Sequence, residues 1–145
     1  MTTTAALAVA LIFLWLGMVL AISFIEAPLK FRAPGVTLPI GLGIGRLVFR
    51  ALNGVEVVLA VVVAVALVVA GPGPAVLVAF AVAVLALTGQ LVAVRPALTR
   101  RSDAVLAAGP DAETLPRSQA HFVYVVLELV KVIALIAAGT VLLAG

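Results

Sequence analysis

Three glutamates, Glu26, Glu56 and Glu128, stand inside long runs of Val, Ala, Leu and Ile, and Asn53, Gln90, His121, Tyr124 and Lys131 stand in similar surroundings. An ionisable group in such a run is costly unless something answers its charge, so each is a candidate site residue. Carboxylates beside a lysine in an apolar setting can exchange a proton for a ligand, because a vacated partner leaves a charge uncompensated. On the last apolar run His121, Tyr124, Glu128 and Lys131 follow the spacing 3, 4, 3, which puts them on one helical face. Arg46, Arg50, Asn53 and Glu56 form a wider stripe, and Ser23, Glu26 and Lys30 a shorter one. Thr88 and Arg95 share a face, while Gln90 is expected to point elsewhere. The candidate ligand-binding set is therefore Glu26, Arg50, Asn53, Glu56, Gln90, His121, Tyr124, Glu128 and Lys131. No metal-ligand set is assigned, no cofactor is identified, and catalytic residues are unknown.

The elements that must position these groups follow from composition. Of 145 residues, 66% are hydrophobic and 10% charged, where soluble domains carry about 25% charged residues. Mean hydropathy is +1.39, so a soluble fold is excluded and the bilayer is the expected partner. Absence of cysteine excludes disulfides, thiolate metal sites and a catalytic thiol. The nine Lys and Arg residues lie mainly at the ends of apolar runs, as topology signals do, and nucleic acid is not an expected partner.

The expected fold is all-α, an integral membrane four-helix bundle forming one transmembrane domain over 1–145, with spans at about 5–27, 46–70, 75–95 and 119–143. The first rises about 34 Å, enough to cross a hydrocarbon core. Its start, Met1-Thr2-Thr3-Thr4, lacks the basic n-region of a signal peptide, so the segment is expected to stay in the mature protein. Pro28, Pro34 and Pro39 with Gly35, Gly41, Gly43 and Gly45 predict an irregular connection from Lys30 to Arg46. The Gly-rich part is no phosphate loop, since no strand precedes it and no Gly-Lys-Ser/Thr follows. Gly71-Pro72-Gly73-Pro74 predicts a tight turn, Arg95-Pro96 a helix stop, and Thr99 to Ser118 a polar loop. Lys30, Arg32 and Arg46 lie in the first loop and Arg95, Arg100, Arg101 and Arg117 in the third, whereas the GPGP turn and both tails have no basic side chain. Loops rich in Lys and Arg stay in the cytoplasm, so both termini are expected outside, in a multi-pass protein of the cell membrane.

Depth follows from the basic residue flanking each span. Glu26, Gln90 and His121 lie four, five and four residues from Lys30, Arg95 and Arg117, about 6–8 Å deep. Asn53 and Tyr124 are expected near 10 Å, Glu56 and Glu128 near the midplane at about 15–17 Å, and Lys131 one turn deeper. At that depth Lys131 cannot snorkel to the boundary, so it must pair with Glu128, Glu56 or both. The outer half holds almost only Val, Ala, Leu, Ile, Phe and Gly, which predicts a polar pocket opening toward the cytoplasm beneath an apolar plug. Polar residues of membrane helices also serve simply as interhelical links, the plainer reading of Ser23, Asn53, Thr88 and Gln90. Lys30, Arg32, Arg100, Arg101 and Arg117 fit interfacial anchors, while Arg46, Arg50 and Arg95 either snorkel to headgroups or line the pocket mouth.

Ala27-Pro28-Leu29-Lys30-Phe31-Arg32, Gly43-Ile44-Gly45-Arg46-Leu47-Val48-Phe49, Arg95-Pro96 and His121 together resemble the transmembrane protein 205-like family of four-span proteins. The resemblance implies the four-span architecture and no particular chemistry, and Glu128 stands where that family tends to place Asn. Within the second span, Arg50-Ala51, Asn53 and Glu56 are similar to a signature of the membrane-associated eicosanoid and glutathione metabolism proteins, four-span trimers that bind glutathione from the cytoplasmic side. There the Arg-Ala lies one residue further from the Asn, and the His, Glu, Lys stripe is foreign to that family. The expected function is binding or transport of a small polar or amphiphilic molecule or ion, by a homo-oligomer with Gly54 and Gly139 offering close helix contacts. A membrane-embedded enzyme, either a thiol-conjugate transferase or a metal-dependent oxidoreductase, and an accessory subunit are the alternatives. Against the metal reading, the Glu-x-x-His pairs of di-metal bundles are missing.

Overall fold

In a computed structural model that describes residues 1–109 and 119–145, the chain is all-α. Four helices are long and apolar enough to cross a membrane: α1 (Thr3–Arg32), α2 (Leu38–Ala70), α3 (Pro74–Ala108) and α4 (Gln119–Ala144). Local chemistry sets their ends. The Thr2 hydroxyl accepts the Ala5 N–H to open α1, and the Thr37 hydroxyl accepts the Ile40 N–H to open α2. Pro39 then sits in the first turn, where no hydrogen bond is lost. Gly71 closes α2 in a left-handed conformation (φ 62°, ψ 50°) that only glycine adopts readily, and its N–H bonds the Leu67 carbonyl.

Two connections are shorter than their prolines and glycines predict. Instead of an irregular stretch from Lys30 to Arg46, α1 continues through Pro28 and tightens into a 3₁₀ turn at Lys30–Arg32, and α2 already begins at Leu38. Two of the glycines are kept inside α2 by packing: a Cβ at Gly41 would overlap the Phe31 ring, and one at Gly45 would come within 2.8 Å of Lys30 Nζ. Nor does Arg95-Pro96 end α3, which continues to Ala108, so Thr99–Ala108 is helix rather than loop. Residues 110–118 of that expected loop, with Arg117 and Ser118, lie outside the described residues.

Both prolines are accommodated in the same way. A π-helical segment, Leu20–Glu26 in α1 and Gln90–Val94 in α3, stops two residues before Pro28 and Pro96 respectively. The Ala27 N–H bonds the Ile22 carbonyl and the Arg95 N–H bonds the Gln90 carbonyl, each five residues back. Widening the turn there relieves the clash of a proline ring with the preceding turn, so the helix runs on.

Neighbouring helices are antiparallel, as short connections require. Trp15 faces Glu56 while Lys30 faces Gly45, and Ser23 faces Glu128 while Ile12 faces Gly139. Thus α1 lies between α2 and α4, α3 packs along α4, and the Arg95–Ala108 end of α3 reaches α2. Ile12, Val63, Leu67, Ala83, Leu135 and Ala138 fill the half of the bundle nearer the Gly71–Pro74 turn. Outward-facing side chains are largely apolar too, with Leu47, Val68, Val92 and Phe122 each more than two thirds exposed.

Candidate functional site

Lys131 is fully buried at the meeting point of the helices. An ammonium has three N–H donors, and all three are used: Glu56 Oε2 at 2.5 Å, Glu128 Oε1 at 2.6 Å and Gln90 Oε1 at 2.8 Å. Glu56 Oε2 also accepts the Trp15 indole N–H at 2.8 Å, and its Oε1 accepts Asn53 Nδ2 at 3.1 Å. Glu128 Oε1 accepts Gln90 Nε2 at 3.3 Å, and its Oε2 lies 2.6 Å from the Ser23 hydroxyl, which donates to it. Gln90 Nε2 also reaches the Tyr124 carbonyl at 3.3 Å, and Asn53 Nδ2 the Tyr124 hydroxyl at 3.4 Å. Every helix contributes, and every carboxylate oxygen in this network has a donor. Asn53 Oδ1 is buried without a partner.

The π segment of α3 explains a departure from the expected geometry. In a regular α-helix Gln90 and Arg95 would lie about 140° apart around the axis. The wider turn between them brings both onto the inner side, so Gln90 faces the core, contrary to the expectation that it points elsewhere. Thr88, expected to share the Arg95 face, instead bonds its own helix at the Val84 carbonyl. Gln90 is level with Lys131 rather than with Glu26 and His121, because α3 does not end at Arg95, the residue from which its depth was counted.

Of the nine candidates, Asn53, Glu56, Gln90, Tyr124, Glu128 and Lys131 are brought together. Glu26 is not among them: it pairs with Lys30 at 3.6 Å. Arg50 is exposed and away from the network, and His121 is exposed at the rim of a cavity. Sequence reasoning missed Trp15. Its signal was available, since a buried indole N–H must find an acceptor and the chain has a single Trp inside an apolar run.

A cavity of about 790 Å³ lies next to the network, on the side away from the Gly71–Pro74 turn. Ser23, Tyr124 and Glu128 belong to both. Its walls are apolar, with Phe24, Leu38, Leu42, Leu98 and Val125, and four cations face it: Lys30, Arg46, Arg95 and Arg101. Lys30, expected to be an interfacial anchor, is instead mostly buried, its Nζ 5.6 Å from the Phe31 ring centre and 5.7 Å from that of Phe49. The Arg95 guanidinium lies 5.6 Å from the Phe49 ring centre and 5.9 Å from that of Tyr124. These two rings meet edge to face at 5.6 Å. Arg46 pairs with Asp103 at the exposed edge.

Among the described residues no group of three or more His, Asp or Glu side chains is placed to hold a metal ion. No family model, curated protein or solved structure matches the chain.

Proposed function

We propose that the chain is a multi-pass protein of the cell membrane that binds or carries a small polar or amphiphilic molecule or ion in its inner cavity. The observation that carries this reading is the cavity itself, whose floor residues Ser23, Tyr124 and Glu128 are also members of the Lys131 network. An occupant touching that floor changes the field at a buried ion pair, where electrostatic interactions are strong, so occupancy and bundle packing are coupled. The outward apolar surface suits lipid. Basic side chains gathered at the cavity end favour a cytoplasmic mouth and both termini outside. One bundle is narrow for a transport path, so assembly of several copies belongs to the transport form of the proposal.

Native mass spectrometry of the protein released from its membrane tests the reading. A stoichiometric small molecule should accompany the wild type and be depleted in Leu42→Trp, which narrows the cavity. Adducts that are identical in both, at matched helix content, would overturn it.

A further inference from the structure

Among the described residues the charges around the cavity do not balance: Lys30, Arg46, Arg95 and Arg101 face it, against one carboxylate, Glu128, whose oxygens are already engaged by Lys131, Gln90 and Ser23. Two of the four cations are answered from elsewhere, Lys30 by Glu26 and Arg46 by Asp103. Arg95 and Arg101 are not: among the described residues neither has a carboxylate within ion-pair distance, and neither guanidinium donates a hydrogen bond to them. A guanidinium is always charged and carries five N–H donors. Arg95 is half-buried over the faces of Phe49 and Tyr124, an arrangement that positions the group without using its N–H donors. Free guanidinium donors match the paired oxygens of a phosphate, sulfonate or carboxylate.

The rest of the lining sets the other end of the occupant. Phe24, Leu42 and Leu98 are apolar and supply wall, not hydrogen bonds. A bare anion would leave that surface hydrated in a volume of about 790 Å³, whereas an apolar chain would displace the water favourably. A cationic ligand would meet four like charges and find one carboxylate already taken.

We propose that the occupant is an anionic amphiphile, its oxyanion head on Arg95 and Arg101 and its apolar body against Phe24, Leu42 and Leu98. This rests on the cavity being the binding site. The chemistry is shared by an anionic lipid of the membrane and by a dissolved anionic amphiphile.

The test uses the full chain in nanodiscs of phosphatidylcholine and decanesulfonate bearing a chain-terminal diazirine, an anion whose charge does not change with pH. A decyltrimethylammonium probe with the same diazirine is the cationic control. The sulfonate should label the Leu42 and Leu98 regions, and the trimethylammonium should not. Arg95→Gln with Arg101→Gln should cut labelling at least tenfold, and Arg101→Gln alone, at a half-exposed residue whose guanidinium has no partner among the described residues, should cut it severalfold with melting unchanged. Excess decanesulfonate should displace the label while inorganic sulfate should not. Phosphatidylglycerol in the disc displacing it assigns the source to the membrane, and failure to do so assigns it to the aqueous phase; both outcomes support the anionic class. Preferential labelling by the trimethylammonium, labelling indifferent to both arginines, or equal displacement by sulfate overturns the inference. Labelling of these regions by neither probe overturns the cavity reading itself.

Discussion

At the scale of the residue, Lys131 decides the most. Depth counting required a partner for it and pointed to Glu128 and Glu56, and it has both, with Gln90 as the third acceptor. Removing one member of a buried ion network leaves an uncompensated charge, which costs about 3–5 kcal/mol. Lys131→Met should therefore lower thermal stability in detergent by that order. Adding Glu128→Gln removes one of the two stranded carboxylates, so the double variant should recover part of the loss. A double variant that melts no higher than the single one would show that the pairing is not what holds this region. Trp15→Phe gives an independent reading: it deletes the indole donor to Glu56 Oε2, which keeps Lys131, at an expected cost of about 1.5–3 kcal/mol for one hydrogen bond to a charged group. A change no larger than that of an exposed Leu14→Ala control would refute it. The acidic and basic members of the network were legible because charges are rare in apolar runs. Trp15 carried a signal of its own, a single indole N–H in an apolar run that must find an acceptor, but an aromatic ring in a membrane helix looks like ordinary packing until that N–H is followed.

At the scale of the element, glycine and proline were legible as punctuation at Gly71–Pro74 and misleading elsewhere. Pro96 looked like a stop, and the helix passes through it because the π segment before it widens the turn. Nothing in a linear sequence separates a proline that ends a helix from one that follows a π segment. The cost of missing this was the direction of Gln90. Glycines carry the same ambiguity. Gly54 and Gly139 both suggested close helix contact, and only Gly139 makes one within the bundle: its Cβ would stand 2.8 Å from the Phe13 ring and 3.2 Å from Ile12. Gly54 is exposed and has nothing within 4 Å, which leaves it free for a second copy. Gly139→Ala should thus destabilise by about 1–3 kcal/mol through overpacking between α1 and α4. Gly54→Ala should leave the monomer no less stable, since alanine is the better helix former. Equal melting of the two variants would show that α1 does not depend on a close approach at Gly139.

At the scale of the whole molecule, the asymmetry of charge sets the proposed orientation. Lys30, Arg32, Arg46, Arg95, Arg100 and Arg101 gather at one end of the bundle, while the Gly71–Pro74 turn at the other end has no basic side chain. The extension of α3 to Ala108 moves Arg100 and Arg101 from loop to helix without moving them to the other end. In the proposed orientation, which follows the positive-inside rule, the cavity mouth and its arginines lie against the cytoplasmic leaflet, where anionic lipid is concentrated. The chain has no cysteine, so single introduced thiols can be read without background. Gly73 is a suitable position because it is exposed and its backbone is extended (φ −64°, ψ 163°), whereas Gly71 needs the left-handed region and would be strained by a side chain. Ala33, exposed between α1 and α2, reports on the opposite end. In intact cells Gly73→Cys should react with a membrane-impermeant maleimide, and Ala33→Cys only after permeabilisation. The reverse pattern would put the cavity mouth outside, away from the anionic leaflet, and the proposed orientation would fall with it.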